Sequence, residues 1–556
     1  MGKIFKWIDS LVSKMAMNYT LLVVGLLFVF ALIGFEVYSA VFPPLLEPPI
    51  YASYTMLQPE WSNERRERYY QTSQGSLVVP YAWFRALEFR NGTEMFASPE
   101  IQTKYGTLPD NDPTYNPDQM PVGIVKATVP DQYVKTLGQG YKEWASLSCA
   151  VCHTGQLLYK GTAIRVDGGN GFWRFEQWSA DLVSSLVATS SSPAKFERFC
   201  ARLNGRAAGD KCSEDEKKKL YAEMKTYFDS DLIMEAVNAI INHTYVNKEG
   251  FARTDALGRG VNGVFGPFDP QGRNIKASTG PVSYPPLWYT HDFDWVQSPA
   301  AIRQPLGRNV TEAWGVNVRV ELNDPAQRWG STASLHDMFW METLISILEA
   351  PKWPEKILGP IDRERAERGR RLYHEAVWDK ALPADQAELP ADAKDLIAGP
   401  NPERPTTGYC ARCHAPAFAP PNEFGKRYLQ LPLYRMDVMG TDPDDATLFN
   451  HRVVYTGVVK SEYGDKDVVG IGTALNVAVT NVLDKWFKQN SVGPDCRTIM
   501  EGYRRNDFRA PLGYPARPLD GYWATGPFLH GGSVRTLYQL LSPVAERSKK
   551  FWIGSR

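Results

Sequence analysis

The chain has 556 residues, enough for two to four domains, and its 43% hydrophobic and 22% charged content is ordinary for a globular protein and excludes a multi-span membrane protein. Lys+Arg 62 balances Asp+Glu 62, so no global basic field points to nucleic acid and no acidic excess points to a disordered tail. Any partner must dock on a local patch.

Residues 1–18 carry Lys3, Lys6 and Lys14 against Asp9. Residues 19–42 follow with no charge before Glu36; as a helix they span about 36 Å, enough to cross a bilayer. A cleaved signal peptide shares the charged start, but the run is long for one and Tyr38-Ser39-Ala40 is a poor cleavage site. The lysine bias predicts a cytoplasmic tail and an outer body. The expected location is therefore the bacterial cytoplasmic membrane, single-pass, with the body in the periplasm. Residues 43–60, with Pro43, Pro44, Pro48, Pro49 and Pro59, read as a stiff spacer.

From residue 61 the pattern is mainly helical with long irregular stretches. Residues 61–89 open with a charged helix, break at Gln74-Gly75-Ser76 and resume as an aromatic helix through Trp83 and Phe84. Residues 91–135 lack a sustained period and read as a surface loop. Alternating Leu158, Ile164 and Val166 predict extended structure, and residues 172–187 a helix. Residues 213–242 have helical spacing behind the N-cap Ser213, whereas 251–310 read as irregular. A boundary at 350–360 separates an N-terminal haem domain, 61–355, from a C-terminal one, 356–556, which opens with the helix IDRERAERGRRLYHEA.

The chemistry lies in two pentapeptides, Cys149-Ala150-Val151-Cys152-His153 and Cys410-Ala411-Arg412-Cys413-His414. With 7 Cys and 8 His in the chain, one C-x-x-C-H arises by chance about 0.001 times. In such a site two thiols add across the vinyl groups of a haem and the next residue, His, reaches the iron. Two covalently bound c-type haems are expected on Cys149, Cys152, Cys410 and Cys413, with His153 and His414 as metal ligands. Zinc would need two further ligands per pair, and a thioredoxin-like site leaves both histidines unexplained. Such haem attachment is made outside the bacterial cytoplasm, so a disulfide between Cys200 and Cys212 is plausible there, and Cys496 is expected as a buried free thiol. No phosphate-binding G-x-x-x-x-G-K-[ST] loop, G-x-S-x-G elbow or H-E-x-x-H helix competes.

The segments CAVCHTGQLLYKGTAIRVDGG, YYQTSQGSLVVPYAWFRALE and YWATGPFLHGGSVRTLYQLL together resemble the dihaem c-type cytochrome family that contains the bacterial rubber oxygenases, and more distantly the dihaem cytochrome c peroxidases. The resemblance implies two cytochrome c-like domains, a reactive haem at His153 and an electron-relay haem at His414. Family members commonly continue past the position of Phe551, and that tail can supply a distal histidine. Either the sequence is trimmed there or another residue is expected to take that role. His291 and His530 are candidate axial or pocket residues, Met436 or Met439 a sixth ligand of the second iron, Trp288 and Trp295 aromatic relays, and Arg165 a haem-propionate partner. Packing and ordinary ion pairing are the competing roles for the tryptophans and Arg165.

The expectation is thus a membrane-anchored periplasmic dihaem oxidoreductase, activating O₂ or peroxide at the first haem and drawing electrons from a redox protein or quinol-linked donor, without nucleic acid. The alternative is a non-catalytic electron carrier with both irons six-coordinate.

Overall fold

The computed structural model describes residues 45, 51, 53–58, 60–229, 249–375, 409–414, 417–436 and 441–551. Contacts divide the chain into residues 1–46 and 47–556, and the elements below belong to the second unit.

Two three-stranded sheets organise its first half. In one, β1 (Ser53–Met56) runs parallel to β6 (Thr162–Asp167), which pairs antiparallel with β5 (Thr154–Tyr159). Lys160 and Gly161 close the β5–β6 hairpin, both with positive φ (46° and 79°), the geometry that lets a two-residue turn follow the strands' twist. In the other sheet β4 (Glu143–Leu147) lies between β2 (Val79–Pro80) and β3 (Ile124–Thr128). Helix α1 (Asn63–Gln71) starts where the Ser62 side chain accepts from the Arg65 N–H. Its positions Arg66 and Tyr70, one turn apart, both reach Asp167 at the end of β6, at 2.7 Å each.

Helices α2 (Phe175–Ser191), α3 (Pro193–Leu203) and α4 (Glu214–Phe228) follow, α4 opening on a Ser213/Glu216 capping box. A disulfide ties Cys200 in α3 to Cys212 just before α4, as expected. It closes a short loop, so replacing both cysteines by alanine is expected to cost about 2–3 kcal/mol in denaturant unfolding. A loss under about 0.5 kcal/mol would show that the bridge constrains little. Cys496 differs from expectation: it is exposed, on a helix with no buried residues.

One core packs α5 (Ala256–Phe265), α6 (Pro305–Trp314), α7 (Leu335–Ile345) and α10 (Ile471–Gln489) through Val261, Phe265, Val310, Leu335, Leu475 and Val479. A smaller core joins Trp61, Tyr69 and Tyr70 to Ala150, Val166, Trp288 and Met341. Between α7 and α10 come α8 (Arg363–Glu375) and, carrying the second pentapeptide, α9 (Tyr409–His414). Strand β7 (Leu433–Arg435) pairs with β8 (Gly513–Pro515).

Several expectations need correction. The body is not mainly α: six sheets of two or three strands occur among the described residues. The short alternations at 124–128 and 143–147 find partners far along the chain, which local periodicity does not reveal. Residues 91–135 therefore hold strand β3, and 251–310 hold α5 behind the N-cap Asp255. The transmembrane helix and the single-pass location are not supported, because no helix among the described residues is long and apolar enough to cross a membrane. The longest of these, α10, carries Asp484, Lys485 and Lys488 and buries its apolar face in the protein core. The predicted span 19–42 lies outside the described residues.

Candidate haem sites

The first pentapeptide is a tight turn between the two sheets. Strand β4 ends at Leu147, Ser148 caps the turn Cys149–Val151, and β5 begins at Thr154. The turn is backed so closely that side chains are excluded behind it. A Cβ on Gly123, whose φ is +80°, would lie 2.2 Å from the Val151 nitrogen, and one on Gly171 would lie 2.6 Å from the Cys152 oxygen. Helix α1 holds the turn from the side: the Tyr69 hydroxyl donates to the His153 carbonyl at 2.8 Å, and Ser148 Oγ donates to the Tyr69 carbonyl at 2.7 Å.

The second pentapeptide forms α9, which packs on α8 and places Tyr373 beside Cys410. Two sites with the same ligand spacing therefore have different backbones, a turn and a helix.

Their histidines are nevertheless held alike. His153 Nδ1 meets the Pro285 carbonyl at 2.8 Å, and His414 Nδ1 meets the Arg517 carbonyl at 2.6 Å. A carbonyl only accepts, so each Nδ1 carries the proton and each Nε2 keeps its lone pair, the form an axial ligand needs. Burial pushes the His153 imidazole down to about 4, although the Pro285 carbonyl opposes it, and burial lowers His414 against the Arg517 carbonyl. Both rings are neutral at pH 7. Among the described residues no three or more His, Cys, Asp or Glu side chains converge as a bare metal site. Paired thiols plus one neutral imidazole fit a covalently held haem.

Beside Cys149 lies a small cavity lined by Ser73, Gln74, Asn309, Glu312, Met338 and Met341. A buried polar network from α6 and α7 borders it. Glu342, 3% exposed, pairs with Arg308, accepts from Asn309 at 3.0 Å and faces His291 Nδ1 at 3.3 Å. Gln297 donates to Glu312, whose carboxyl is raised by burial and lowered by Arg308.

A family model described as "RoxA-like, cytochrome c-like" matches residues 513–553. This stretch includes β8 and Arg517, whose carbonyl receives His414. The chain is also 32% identical over 531 residues to the uncharacterized protein y4iJ of Sinorhizobium fredii, covering 90% of this chain and 83% of that one. The chain belongs to the RoxA-like cytochrome family. A second protein of that organism, the uncharacterized protein y4iM, is 54% identical over 46 residues, 8% of this chain and 10% of its own. RoxA-like membership carries haem c binding and a redox role.

The RoxA-like segment also bears on the other candidates. Trp288 is 2% exposed in the core that contains Ala150, and its indole N–H donates to the Asp520 carbonyl at 2.9 Å. It thus runs from the first turn to the matched segment. His530 lies against the Tyr514 ring, centroids 4.6 Å apart, with Nδ1 facing Thr441 Oγ1 at 3.1 Å. Trp295 sits under the Arg509 guanidinium at 4.0 Å. Arg165 is buried, donating to the Pro109 carbonyl at 3.1 Å and to Gln156. Met436 sulfur accepts from Thr447 at 3.7 Å, and Met439 lies outside the described residues.

Sequence reasoning missed Arg308, Asn309, Glu312 and Glu342. Local pattern did not mark them: that Arg308 and Glu312 stand one turn apart on a helix buried nearly all round is seen only in the fold. Pro285 and Arg517 act through main-chain carbonyls, which carry no side-chain signature.

Proposed function

We propose that this chain is a dihaem c-type oxidoreductase in which the site at His153 is reactive and the site at His414 relays electrons. What carries the reading is the shared proximal arrangement, each imidazole donating from Nδ1 to a main-chain carbonyl behind a C-x-x-C-H. A haem held by Cys149, Cys152 and His153, and one held by Cys410, Cys413 and His414, would each supply a one-electron iron centre able to react with O₂ or peroxide. The rest is the work of the chain. Pro285 and Tyr69 fix the orientation of His153, and Pro285 strengthens it as a donor. Glu312, whose carboxyl burial raises and Arg308 lowers, accepts from Gln297 and is placed for proton transfer beside the first turn, and Arg308 supplies fixed positive charge. Met338 and Met341 keep the cavity apolar on its other side. Trp288 offers an aromatic route from the first site toward the segment that holds His414. The disulfide supports assembly in an oxidising compartment.

The division of roles rests on the ionisable groups gathered beside Cys149. Carbon monoxide added to the reduced protein is expected to change the spectrum of one haem of two, and replacing His153, not His414, is expected to abolish that change. If neither haem takes an external ligand in any redox state, the chain is an electron carrier.

A further inference from the structure

The two proximal histidines are joined through one residue. His414 Nδ1 donates to the main-chain carbonyl of Arg517 at 2.6 Å, while the guanidinium of Arg517 donates to the Pro286 carbonyl at 2.7 Å and to Thr290 Oγ1 at 3.2 Å. The preceding carbonyl, Pro285, receives His153 Nδ1 at 2.8 Å. Three hydrogen bonds and two adjacent prolines therefore lead from one imidazole to the other. Nothing here is loose: proline fixes φ at both 285 and 286, so the direction of the Pro285 carbonyl follows from where Pro286 is held.

We propose that Arg517 is a positioning residue that couples the two haem sites, its main chain orienting His414 and its side chain orienting the Pro285–Pro286 turn that orients His153. The proposal rests on the dihaem reading above. The guanidinium is a permanent charge on a long stem, and its Nη2 donates to both the Pro286 carbonyl and Thr290 Oγ1. Its positive charge acts on His153 and would disfavour the extra positive charge of an oxidised iron there, raising that midpoint potential. Burial, opposed by Tyr522 and joined by Arg308, moves the guanidinium down to about 10, so it stays charged at pH 7. Because the same residue holds both ligands, a change of charge at one site alters the other, and by linkage the effect is mutual.

The test uses the full-length holoprotein with Arg517→Met, Arg517→Lys and Thr290→Val. Intact mass under denaturing conditions comes first: a wild-type chain with fewer than two haems sinks the dihaem reading itself. With two haems present, spectroelectrochemical titration of Arg517→Met is expected to show the potential of the His153 haem lowered. For the His153 haem the oxidised-to-reduced ratio at fixed ambient potential rises about tenfold, ~59 mV for one electron. The Fe–His band of the reduced His153 haem should also shift, although Arg517 offers that histidine no atom directly. Arg517→Lys should restore most of the potential and leave the band shifted, since its shorter side chain returns charge without reaching the position of Nη2. Thr290→Val should move the band the same way by a smaller amount, and it decides the matter if Arg517→Met fails to fold. An unchanged potential and band of the His153 haem in Arg517→Met, or an unchanged band in both milder variants, overturn the coupling and leave Arg517 a loop staple.

Discussion

Replacing Cys149 and Cys152 together by alanine is expected to yield a protein with one covalent haem in place of two, the one at Cys410 and Cys413 surviving. The two attachment sites are built independently. The first is a turn held by β4, β5 and α1, with Gly123 and Gly171 pressed behind it; the second is the helix α9 packed on α8. Losing the thioethers at the turn removes no packing from α9. Intact mass under denaturing conditions, with the wild type measured alongside, reads the count directly. Loss of both haems would mean that the second site matures only on a finished first one. Retention of two would show that another residue pair holds the haem assigned to the turn. The expected functional consequence is complete loss of ligand binding at the first site while the second still takes up and returns electrons.

The largest stability effect is expected at Asp167. Its carboxylate takes Arg66 Nε and the Tyr70 hydroxyl at 2.7 Å each, and its main-chain N–H and carbonyl are both bonded to the Gln58 side chain at 3.1 Å. Asp167 is fully buried and Arg66 is 6% exposed. Asp167→Ala would leave a buried guanidinium without its counter-charge, a loss of about 3–5 kcal/mol for a buried pair broken on one side. Asp167→Asn, which keeps an acceptor for Tyr70 but not the charge, should fall between the two. Denaturant unfolding of the oxidised holoprotein measures this. A cost under about 1 kcal/mol for the alanine variant would show that Arg66 finds another partner and that the clasp between α1 and β6 is incidental. Because α1 also carries Tyr69, which holds the His153 carbonyl, the same variant should loosen the first haem site, visible as a broadened haem spectrum before global unfolding.

The two C-x-x-C-H pentapeptides were legible because their pattern is local. Two thiols and an imidazole within five residues are dictated by the size of the macrocycle, so Cys149, Cys152 and His153, and likewise Cys410, Cys413 and His414, stand out in any fold. The helix behind Ser213 and the extended structure around Leu158, Ile164 and Val166 were legible for the same reason: an N-cap and an apolar alternation are decided within a few residues. The Cys200–Cys212 bridge needed only closeness along the chain and an oxidising setting.

What only the tertiary structure decided is everything that depends on distant partners. Strand β3 was hidden in a stretch without sustained period because its pairing to β4 spans a loop, and a strand is stabilised by its neighbours more than by its own sequence. The ionisable cluster of Arg308, Glu312 and Glu342 gathers from two helices beside a turn more than 150 positions upstream. His291 meets it, while Trp295 and His530 are engaged elsewhere. Above all, the residues that hold the two proximal histidines are main-chain carbonyls at positions 285 and 517, and every residue has a carbonyl. The sequence therefore names the two histidines behind the paired thiols by itself, but which backbone orients them, and that one arginine reaches both turns, follows only once the chain has folded back on itself.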